Sequence, residues 1–400
     1  MSVARALLSR SLHQHLGLHD FERTARRRLP RAVFQYIAGG AETEASVRAN
    51  RRQFDAWAFV PSSLVDTAAR TTQTHLLGQT WAAPFGIAPM GACGLAAFRA
   101  DLAMAAAAHQ AKVPYVLSGA SLVTLERVIA VNPAAWFQAY LHPEPAGQRA
   151  LLDRVAAAGY RTLVITTDVP VMGNREADAR NGYGSPLRPS WRLAWDGLSH
   201  PGWLCCEFLR TLRAEGMPRF HNFEAGDGTP PPLLSRRAPA RRHRRDRLDW
   251  AQLAQLRQHW PHQLIVKGLL DPADGARAQS LGVDAVWISN HGGRQLDGAV
   301  APLQVLPQFV EAAPGLPLIC DGGIWRGTDV LKALALGASH VFVGRPFLFA
   351  VATAGQDGVA HAIRLLQTEL DRNLALLGCL DPAGAATRVR RAVAPIAVAS

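Results

Sequence analysis

Lysine is almost absent from this chain of 400 residues, which contains only Lys112, Lys267 and Lys332. The formal net charge of +12 therefore comes almost entirely from arginine, as a general compositional bias would produce. No aromatic residues alternate with the basic ones as in a base-stacking platform, and no helix-turn-helix or zinc-ligand spacing occurs. These absences argue against nucleic acid as a partner.

Cysteine is also scarce, and the five cysteines have neither the even number of a disulfide framework nor the spacing of a metal site. The sequence thus predicts no metal and a reducing compartment. Residues 1–28 lack the apolar stretch and cleavage site of a secretory signal, and no apolar run reaches the roughly 18 residues that cross a bilayer. We therefore expect a cytoplasmic location.

What the sequence does contain is a series of short, apolar, β-prone runs with helical patterns between them. Eight runs can be counted, at 85–90, 115–119, 136–140, 162–168, 264–268, 285–290, 318–323 and 340–345. Helical spacing of apolar residues occurs, for example, at 101–111, 146–158, 250–259 and 328–336. Eight parallel strands alternating with helices close a barrel. The predicted class is therefore α/β, a (β/α)8 (TIM) barrel in one domain of residues 1–400.

Two regions do not fit the repeat. Residues 1–80 precede the barrel (81–380) and indicate short helices with a loop, and residues 170–248 form an insertion after the fourth strand. The insertion contains the apolar run 203–209, a proline-rich stretch at 229–232 and seven arginines between Arg236 and Arg247. Apolar residues beside a basic cluster suit an anionic membrane surface, while a solvated loop is equally compatible with this composition.

Polar residues and glycines follow the eight runs, at the end where barrel enzymes carry their active sites. In order they are Pro89 and Gly91, Ser118, Gln138 with Tyr140, Thr166 with Asp168, Lys267, Ser289 with His291, Asp321 with Gly322 and Gly323, and Gly344 with Arg345. Backbone amides after strands seven and eight commonly bind a phosphate, which makes Gly323, Gly344 and Arg345 phosphate candidates. Lys267 lies in an apolar strand, so it is expected either to meet an electron-rich group such as the N1–C2 carbonyl region of a flavin, or to face outward.

A histidine and an arginine three residues apart follow the sixth run, on a loop that contains Gly292 and Gly293. His291 can accept a proton near neutral pH, and the planar fork of Arg294 suits a carboxylate. Asp168 is a partner that would raise the pKa of His291. The alternatives are a structural histidine and an aspartate that caps a turn.

These residues together resemble the family of FMN-dependent 2-hydroxy acid oxidases and dehydrogenases, which includes glycolate oxidase, lactate dehydrogenases and mandelate dehydrogenase. The resemblance runs from about Leu29 to Leu380, and its most specific part is Ser289–Asp297. Further matches lie at 36–42, 87–89, 137–140, 167–168, 266–268, 321–323 and 344–346.

The resemblance implies FMN as the cofactor and assigns roles to residues. His291 would be the base, with Asp168 as its partner, and Arg294 and Arg175 would bind the substrate carboxylate. Tyr36 and Tyr140 would contact the substrate, with Tyr140 also counted as catalytic. FMN would be held by Pro89, Gly91, Ser118, Gln138, Thr166, Lys267 and Ser289, with its phosphate at Asp321, Gly322, Gly323, Arg326, Gly344 and Arg345.

Two positions bear on the subtype that the resemblance implies. Gly91 stands where oxidases of the family tend to carry alanine, which favours a dehydrogenase that passes electrons to a quinone-type acceptor. Ala120 stands where glycolate oxidase has tryptophan, which favours a bulky or aromatic L-2-hydroxy acid such as mandelate. An L-lactate dehydrogenase and a hydrogen-peroxide-forming oxidase are the alternatives.

The resemblance also implies a location and an assembly. In mandelate dehydrogenase and bacterial lactate dehydrogenases the corresponding insertion attaches the enzyme to the membrane, which predicts peripheral binding to the cytoplasmic side of the inner membrane. A homotetramer is likewise implied by the resemblance alone.

One departure stands out at Trp325, where the family usually has an arginine that pairs with the FMN phosphate, although Arg326 follows it. Loss of one charge-assisted contact weakens binding by about tenfold. A barrel that binds flavin without turnover is therefore an alternative of another class, and an FMN barrel that isomerises its substrate is a third.

Overall fold

Eight parallel strands form the centre of the molecule in a computed structural model that describes residues 12–141, 144–183, 187–223, 229–234 and 248–392. The strands are Phe85–Ile87, Val116–Ser118, Trp136–Ala139, Thr162–Thr166, Gln263–Leu269, Ala285–Ile288, Leu318–Asp321 and His340–Val343. Each strand from the second to the seventh pairs with the next in chain order, and the eighth pairs with the first. A single parallel bridge between Ile87 and Tyr115 joins the first strand to the second. The predicted TIM barrel is confirmed.

Seven of the eight strands end one to three residues before the predicted boundary, and only the fifth is longer than predicted. The difference has a physical cause, because the residues after each strand leave the sheet to form the loops at its carboxyl end. His291, for example, has a φ of 56°, and Gly322 and Gly323 have φ of 95° and 79°. None of these values is compatible with a continuing strand.

Each barrel strand is followed by a helix of the outer layer. These helices are Ala100–Gln110, Leu125–Val131, Pro145–Ala157, Trp250–His259, Pro272–Ser280, Pro302–Ala312, Gly327–Ala335 and Arg345–Leu377. The last is interrupted at Ala354 and Gly355, whose backbone angles are not helical. The single domain of residues 1–400 stays a prediction.

An antiparallel hairpin, Thr74–Leu76 with Gln79–Trp81, lies at the amino-terminal end of the barrel. Its Trp81 joins the buried cluster inside the barrel that contains Trp136, Trp287 and Phe342. The Trp287 and Phe342 ring centroids are 4.3 Å apart. Aromatic side chains therefore fill the barrel at this end, and the cavity described below opens toward the carboxyl ends of the strands.

The amino-terminal extension contains helices Leu18–Arg28, Arg31–Ala38 and Ala45–Arg52, as predicted, and strand Trp57–Phe59, which pairs antiparallel with Val389–Arg391. The third helix packs directly against the turn after the seventh barrel strand. A Cβ atom on Gly323 would lie 1.8 Å from the Asn50 carbonyl oxygen. Only glycine fits this position, both for space and because of its positive φ.

The insertion contains helices Glu176–Arg180, Trp191–Leu198, Pro201–Trp203 and Leu209–Glu215, with a π-helical turn at Leu204–Phe208. The apolar run 203–209, which the sequence suggests as the membrane-binding part, is only partly exposed: Trp203, Leu204 and Phe208 are half-buried, whereas Cys205, Cys206 and Leu209 are exposed. The Trp203 indole N–H donates to the Leu95 carbonyl at 2.7 Å, and Glu207 accepts from the Phe98 backbone N–H at 2.7 Å. The arginine cluster at 236–247 lies outside the described residues.

Among the described residues of the insertion, the three most exposed large apolar side chains lie on helix Trp191–Leu198. Trp191, Trp195 and Leu198 are 82%, 69% and 60% exposed, and their spacing places them on one side of the helix. We call these three residues the docking face. Among the described residues, no helix has the length and apolarity needed to cross a membrane.

The inner side of the same helix contacts the amino-terminal extension. The Asp196 carboxylate accepts hydrogen bonds from the backbone N–H groups of Arg31 and Ala32, at 3.0 and 2.9 Å. These are the first amides of helix Arg31–Ala38, which lack partners within the helix. Asp196 therefore caps the helix that carries Tyr36, and its negative charge suits the positive end of the helix dipole.

Candidate active site

His291 and Asp168 form a hydrogen-bonded pair at the carboxyl end of the barrel, with 2.9 Å between Nδ1 and Oδ1. Asp168 follows the fourth strand and His291 the sixth, so the fifth strand lies between them. Gly268 in that strand makes room for the pair, because a Cβ there would lie 2.6 Å from the Asp168 side chain. The Ser289 hydroxyl accepts from the His291 backbone N–H at 3.0 Å and fixes the loop.

Burial has opposite effects on the pKa values of the two partners. For His291, burial lowers the pKa below its ordinary value, and the opposing contribution of Asp168 does not restore it. Asp168 acts on the pKa of His291 in the expected upward direction, but burial is the larger effect, so the net pKa is lowered rather than raised. For Asp168, burial acts to raise the pKa, but the charges of His291 and Lys267 outweigh it. The pair is thus a neutral imidazole held by a carboxylate, as a general base requires.

Arg175 and Arg294 lie beside this pair and line the same cavity. Arg294 donates to the carbonyls of Tyr36 and Gly39, at 2.7 and 3.0 Å, at the end of helix Arg31–Ala38. Arg175 donates to the Arg294 carbonyl at 3.2 Å. Burial and the neighbouring Arg294 lower the pKa of Arg175 to about 10, so it remains charged at neutral pH. We call Arg175 and Arg294 the arginine clamp.

Tyr36 and Tyr140 also line the cavity. The Tyr36 hydroxyl donates to the Gly91 carbonyl at 3.1 Å, and its ring stacks on Tyr183 with 4.3 Å between centroids. The Tyr140 ring centroid lies 6.0 Å from that of Phe223, a residue of the insertion. Both tyrosines therefore connect the barrel end of the cavity to other parts of the chain.

Lys267 is buried in the fifth strand and points into the barrel, so its ammonium group does not face outward as the alternative supposed. Its Nζ donates to the Ser289 hydroxyl at 2.9 Å and lies 3.4 Å from the Asp321 carboxylate. Burial acts to lower the pKa of Lys267, but Asp321 and Asp168 outweigh it, and the net pKa lies above its ordinary value. A permanent positive charge therefore lies at the cavity floor.

The glycines predicted for a phosphate, Gly322, Gly323 and Gly344, line the far part of the cavity. The two arginines predicted for the same phosphate are engaged elsewhere. The Arg345 guanidinium donates to the carbonyls of Ile37, Gly39 and Gly292 at about 3 Å. Arg326 lies 3.2 Å from Glu369 and does not line the cavity. Their contact with a phosphate stays a prediction.

Trp325 does line the cavity, at the position where the resemblance leads one to expect an arginine. Its ring stacks on His19 of the first helix, with 4.2 Å between centroids and 5° between planes. Arg51 lies at the same end of the cavity, and its guanidinium donates to the Gly323 carbonyl at 2.8 Å and pairs with Asp329. A positive charge is therefore present there from a helix of the extension.

The structure brings most of the predicted site residues to one cavity of about 850 Å³, in the upper part of the range for ligand sites. Three predicted residues stand behind the lining and contact it. Asp168 bonds His291, Ser289 bonds Lys267, and the Ser118 hydroxyl donates to Gln138 at 3.0 Å. The predicted residues on the lining are Tyr36, Pro89, Gly91, Gln138, Tyr140, Thr166, Arg175, Lys267, His291, Arg294, Asp321, Gly322, Gly323, Gly344 and Arg345.

Several residues of the cavity were not predicted. Asp178 lies on a helix of the insertion and Arg51 on a helix of the extension. Neither residue follows a barrel strand, which is the signal by which the other site residues were predicted. An apolar wall, also from the insertion, closes the side of the cavity next to Tyr36 and Tyr140. We define this wall as Tyr183, Leu187, Phe220, Phe223 and Leu233.

Comparison with known proteins agrees with this geometry. The model of the family described as FMN-dependent dehydrogenase matches residues 25–391. The chain belongs to the FMN-dependent dehydrogenase family. It is 40% identical to (S)-mandelate dehydrogenase of Pseudomonas putida over 91% of each chain, and 40% identical to L-lactate oxidase of Nostoc sp. over 91% of this chain and 94% of that one. A crystal structure of a monotopic membrane protein, (S)-mandelate dehydrogenase, superposes with a TM-score of 0.87 at 37% identity, covering 94% of this chain and 99% of the other.

FMN is the cofactor of this family, and the cavity fits it. Gln138 Nε2 and Asp321 Oδ1 are buried and have no hydrogen-bond partner among the described residues. Such atoms are costly unless a ligand satisfies them, and a flavin with its ribityl chain offers both acceptors and hydroxyl donors. Lys267 beside them suits the N1–C2 carbonyl region, which gains negative charge on reduction. The glycine turns at 322–323 and 344 are open to a phosphate.

Proposed function

We propose that this enzyme oxidises an L-2-hydroxy acid with a bulky or aromatic side chain to the 2-oxo acid and passes the electrons to a quinone-type acceptor. The observation that carries the proposal is the meeting, in one cavity, of a neutral base and two guanidinium groups. His291 with Asp168 supplies the base, and the arginine clamp supplies a site for a carboxylate. Membership in the FMN-dependent dehydrogenase family identifies FMN as the cofactor.

The residues divide the work by their chemistry. The arginine clamp binds the substrate carboxylate and orients the α-carbon above the cavity floor. His291 accepts one proton from the substrate, and Asp168 stabilises the imidazolium that results. FMN, when bound, would accept the two electrons and the second hydrogen that leave the substrate. Lys267 lies where its charge stabilises the negative charge that this electron gain creates.

The substrate side chain is assigned from the apolar wall and from Ala120. The wall offers two phenylalanines, Phe220 and Phe223, whose ring centroids are 6.0 Å apart. Ala120, which lines the same cavity beside Gly91, has a small side chain and leaves space that a large substrate group would fill. An aryl group packs well between such surfaces.

The test is anaerobic mixing of the purified holoenzyme with S-mandelate and with S-lactate, followed by flavin absorbance near 450 nm. Rapid bleaching by mandelate and slow bleaching by lactate is the expected result. The opposite preference would favour an L-lactate dehydrogenase, as the similarity to a lactate oxidase also suggests. Bound flavin that neither acid bleaches would overturn the proposal in favour of a binding barrel.

The electron acceptor is assigned on Gly91, and a second measurement tests it. Oxygen consumption and reduction of a quinone analogue are compared at saturating hydroxy acid. Faster turnover with the quinone is expected of a dehydrogenase, whereas stoichiometric hydrogen peroxide would make the enzyme an oxidase. A homotetramer remains an expectation that light scattering can test.

We also propose that the docking face binds the surface of an anionic membrane. Two exposed tryptophans and a leucine on one side of a helix suit the interface region of a bilayer, and the exposed Arg188 and Arg192 beside them suit anionic lipid headgroups. The similar mandelate dehydrogenase is described as a monotopic membrane protein. The wild type should sediment with vesicles that contain phosphatidylglycerol, and the W191S/W195S variant should stay in the supernatant. An L376S variant, which removes an exposed leucine elsewhere, is the control.

A further inference from the structure

Asp178 is a buried carboxylic acid in the cavity to which the mechanism above gives no role. It lies on the short helix Glu176–Arg180, is only 9% exposed, and lines the cavity. Its side chain makes no hydrogen bond or ion pair with any described residue. An acid this deeply buried normally has a direct partner, because desolvation of a carboxylate is costly.

The groups that act on Asp178 through space belong to the arginine clamp. Burial raises the pKa of the Asp178 carboxyl, while the charges of Arg294 and Arg175 oppose that shift. The interaction is mutual, since Asp178 is the carboxylate that favours the charged form of Arg175. Among the described residues, no carboxylate lies within 4 Å of either guanidinium. Asp178 lines the same cavity as both guanidiniums and lies on the helix that begins after Arg175, so its carboxylate is near the clamp without occupying it.

Other parts of the helix account for its structure without the Asp178 side chain. Glu176, on the outer side, pairs with Arg180, and the Asp178 backbone carbonyl accepts from the Tyr183 N–H at 2.8 Å. A change at the Asp178 carboxyl therefore alters charge in the cavity without removing a contact that holds the helix. Substitution of Asp178 can therefore test the effect of its charge without disturbing the helix.

We propose that Asp178 sets the affinity of the arginine clamp for carboxylates, by offsetting part of its positive charge so that the anionic 2-oxo acid can leave. This inference rests on the proposed function, since it concerns the product of that reaction. Two unopposed guanidiniums in a low-dielectric site would bind a carboxylate tightly in substrate and product alike. A nearby negative charge weakens the binding of the substrate carboxylate and of the product carboxylate, and so favours product release.

The experiment measures equilibrium binding to the oxidised holoenzyme by the change in flavin absorbance. The ligands are 2-oxo-2-phenylacetate and its uncharged amide, with pyruvate and pyruvamide in their place if lactate proves the better substrate. The variants are D178N, which removes the charge, D178E, which keeps it, and E176Q, which removes a charge two residues away on the outer side of the helix. D178S serves in place of D178N if the latter fails to retain FMN.

D178N is expected to lower the Kd of the carboxylate by about three- to tenfold and to leave that of the amide unchanged. D178E and E176Q should bind both ligands as the wild type does. An unchanged or higher carboxylate Kd in D178N would overturn the inference, and so would an equal shift for acid and amide, which indicates a structural role. Failure of the proposed function would appear separately, as wild-type flavin that no hydroxy acid bleaches.

Discussion

The two sides of the cavity are built in different ways. The chemical side comes from the barrel strands and the short loops directly after them: Lys267 is buried in a strand and donates to Ser289, while the half-buried His291 and Asp168 follow strands and bond each other. The opposite side, the apolar wall, comes from an insertion of about eighty residues whose other surface carries exposed tryptophans. Reactive groups are thus attached to the rigid sheet, and contacts that select the substrate are attached to a segment that can vary without disturbing it.

The sharpest way to test the chemical side is to remove the base. His291→Asn keeps a polar side chain but cannot accept the proton, so the rate of substrate-driven flavin reduction should fall by roughly 10²- to 10⁴-fold. Stopped-flow absorbance measures the rate. The FMN content of the purified variant should equal that of the wild type, and a rate within threefold of wild type would assign the base to another residue.

Asp168→Asn tests the partner of the base and carries a pH signature. Because the neutral imidazole is the active form, kcat/KM of the wild type should be at its maximum above the pKa of His291. It should decrease as the pH falls through that pKa. Burial places that pKa below its ordinary value of 6.5. The variant loses the charge that opposes burial, so the acid limb should move to lower pH while the maximal rate falls by about 10²-fold or more. An acid limb that does not move would contradict the coupling of the pair.

Ala120→Trp tests the specificity side. The indole would fill the space beside Gly91 in the cavity, so the ratio of kcat/KM for mandelate to that for lactate should fall by about 10- to 100-fold. Phe223→Leu, on the wall itself, is the matched variant and should reduce the same ratio by a smaller factor. If both acids lose activity equally in A120W, the residue affects the flavin side rather than the substrate side.

Trp325→Arg tests the phosphate end, which belongs to neither side. A guanidinium at this position would add a charge-assisted contact, so the Kd of FMN, measured by quenching of flavin fluorescence, should fall by about tenfold. His19→Ala removes the stacking partner of Trp325 without adding charge and should leave the Kd nearly unchanged. An unchanged Kd in W325R would mean that the glycine turns and Arg51 already satisfy the phosphate.

The barrel and its chemical side could be predicted from the sequence because both depend on local signals. Buried parallel strands read as apolar runs, and the polar residues that end those runs meet at one edge of the sheet. Asp178 and the apolar wall could not be predicted in this way, since their place in the cavity depends on how a long insertion folds back. The net shift of the His291 pKa could not be predicted for a related reason, because the sequence shows Asp168, which raises that pKa, and does not show the burial that outweighs it. The run at 203–209 was a candidate for membrane contact, and the sequence could not show that the Trp203 indole donates to the Leu95 carbonyl in the loop after the first strand.

Helix Trp191–Leu198 of the insertion has an outer face of exposed apolar residues and an inner face on which Asp196 contacts the amino-terminal extension. A redesign to improve solubility would either replace the exposed residues of the outer face or shorten the insertion. The inner carboxylate, however, caps the helix that presents Tyr36 and whose last carbonyls hold Arg294. A redesign that deletes helix Trp191–Leu198 removes this cap, whereas one that replaces only Trp191, Trp195 and Leu198 retains it. A shortened insertion must therefore keep Asp196, on the inner side of this helix, if Tyr36 and Arg294 are to stay in place.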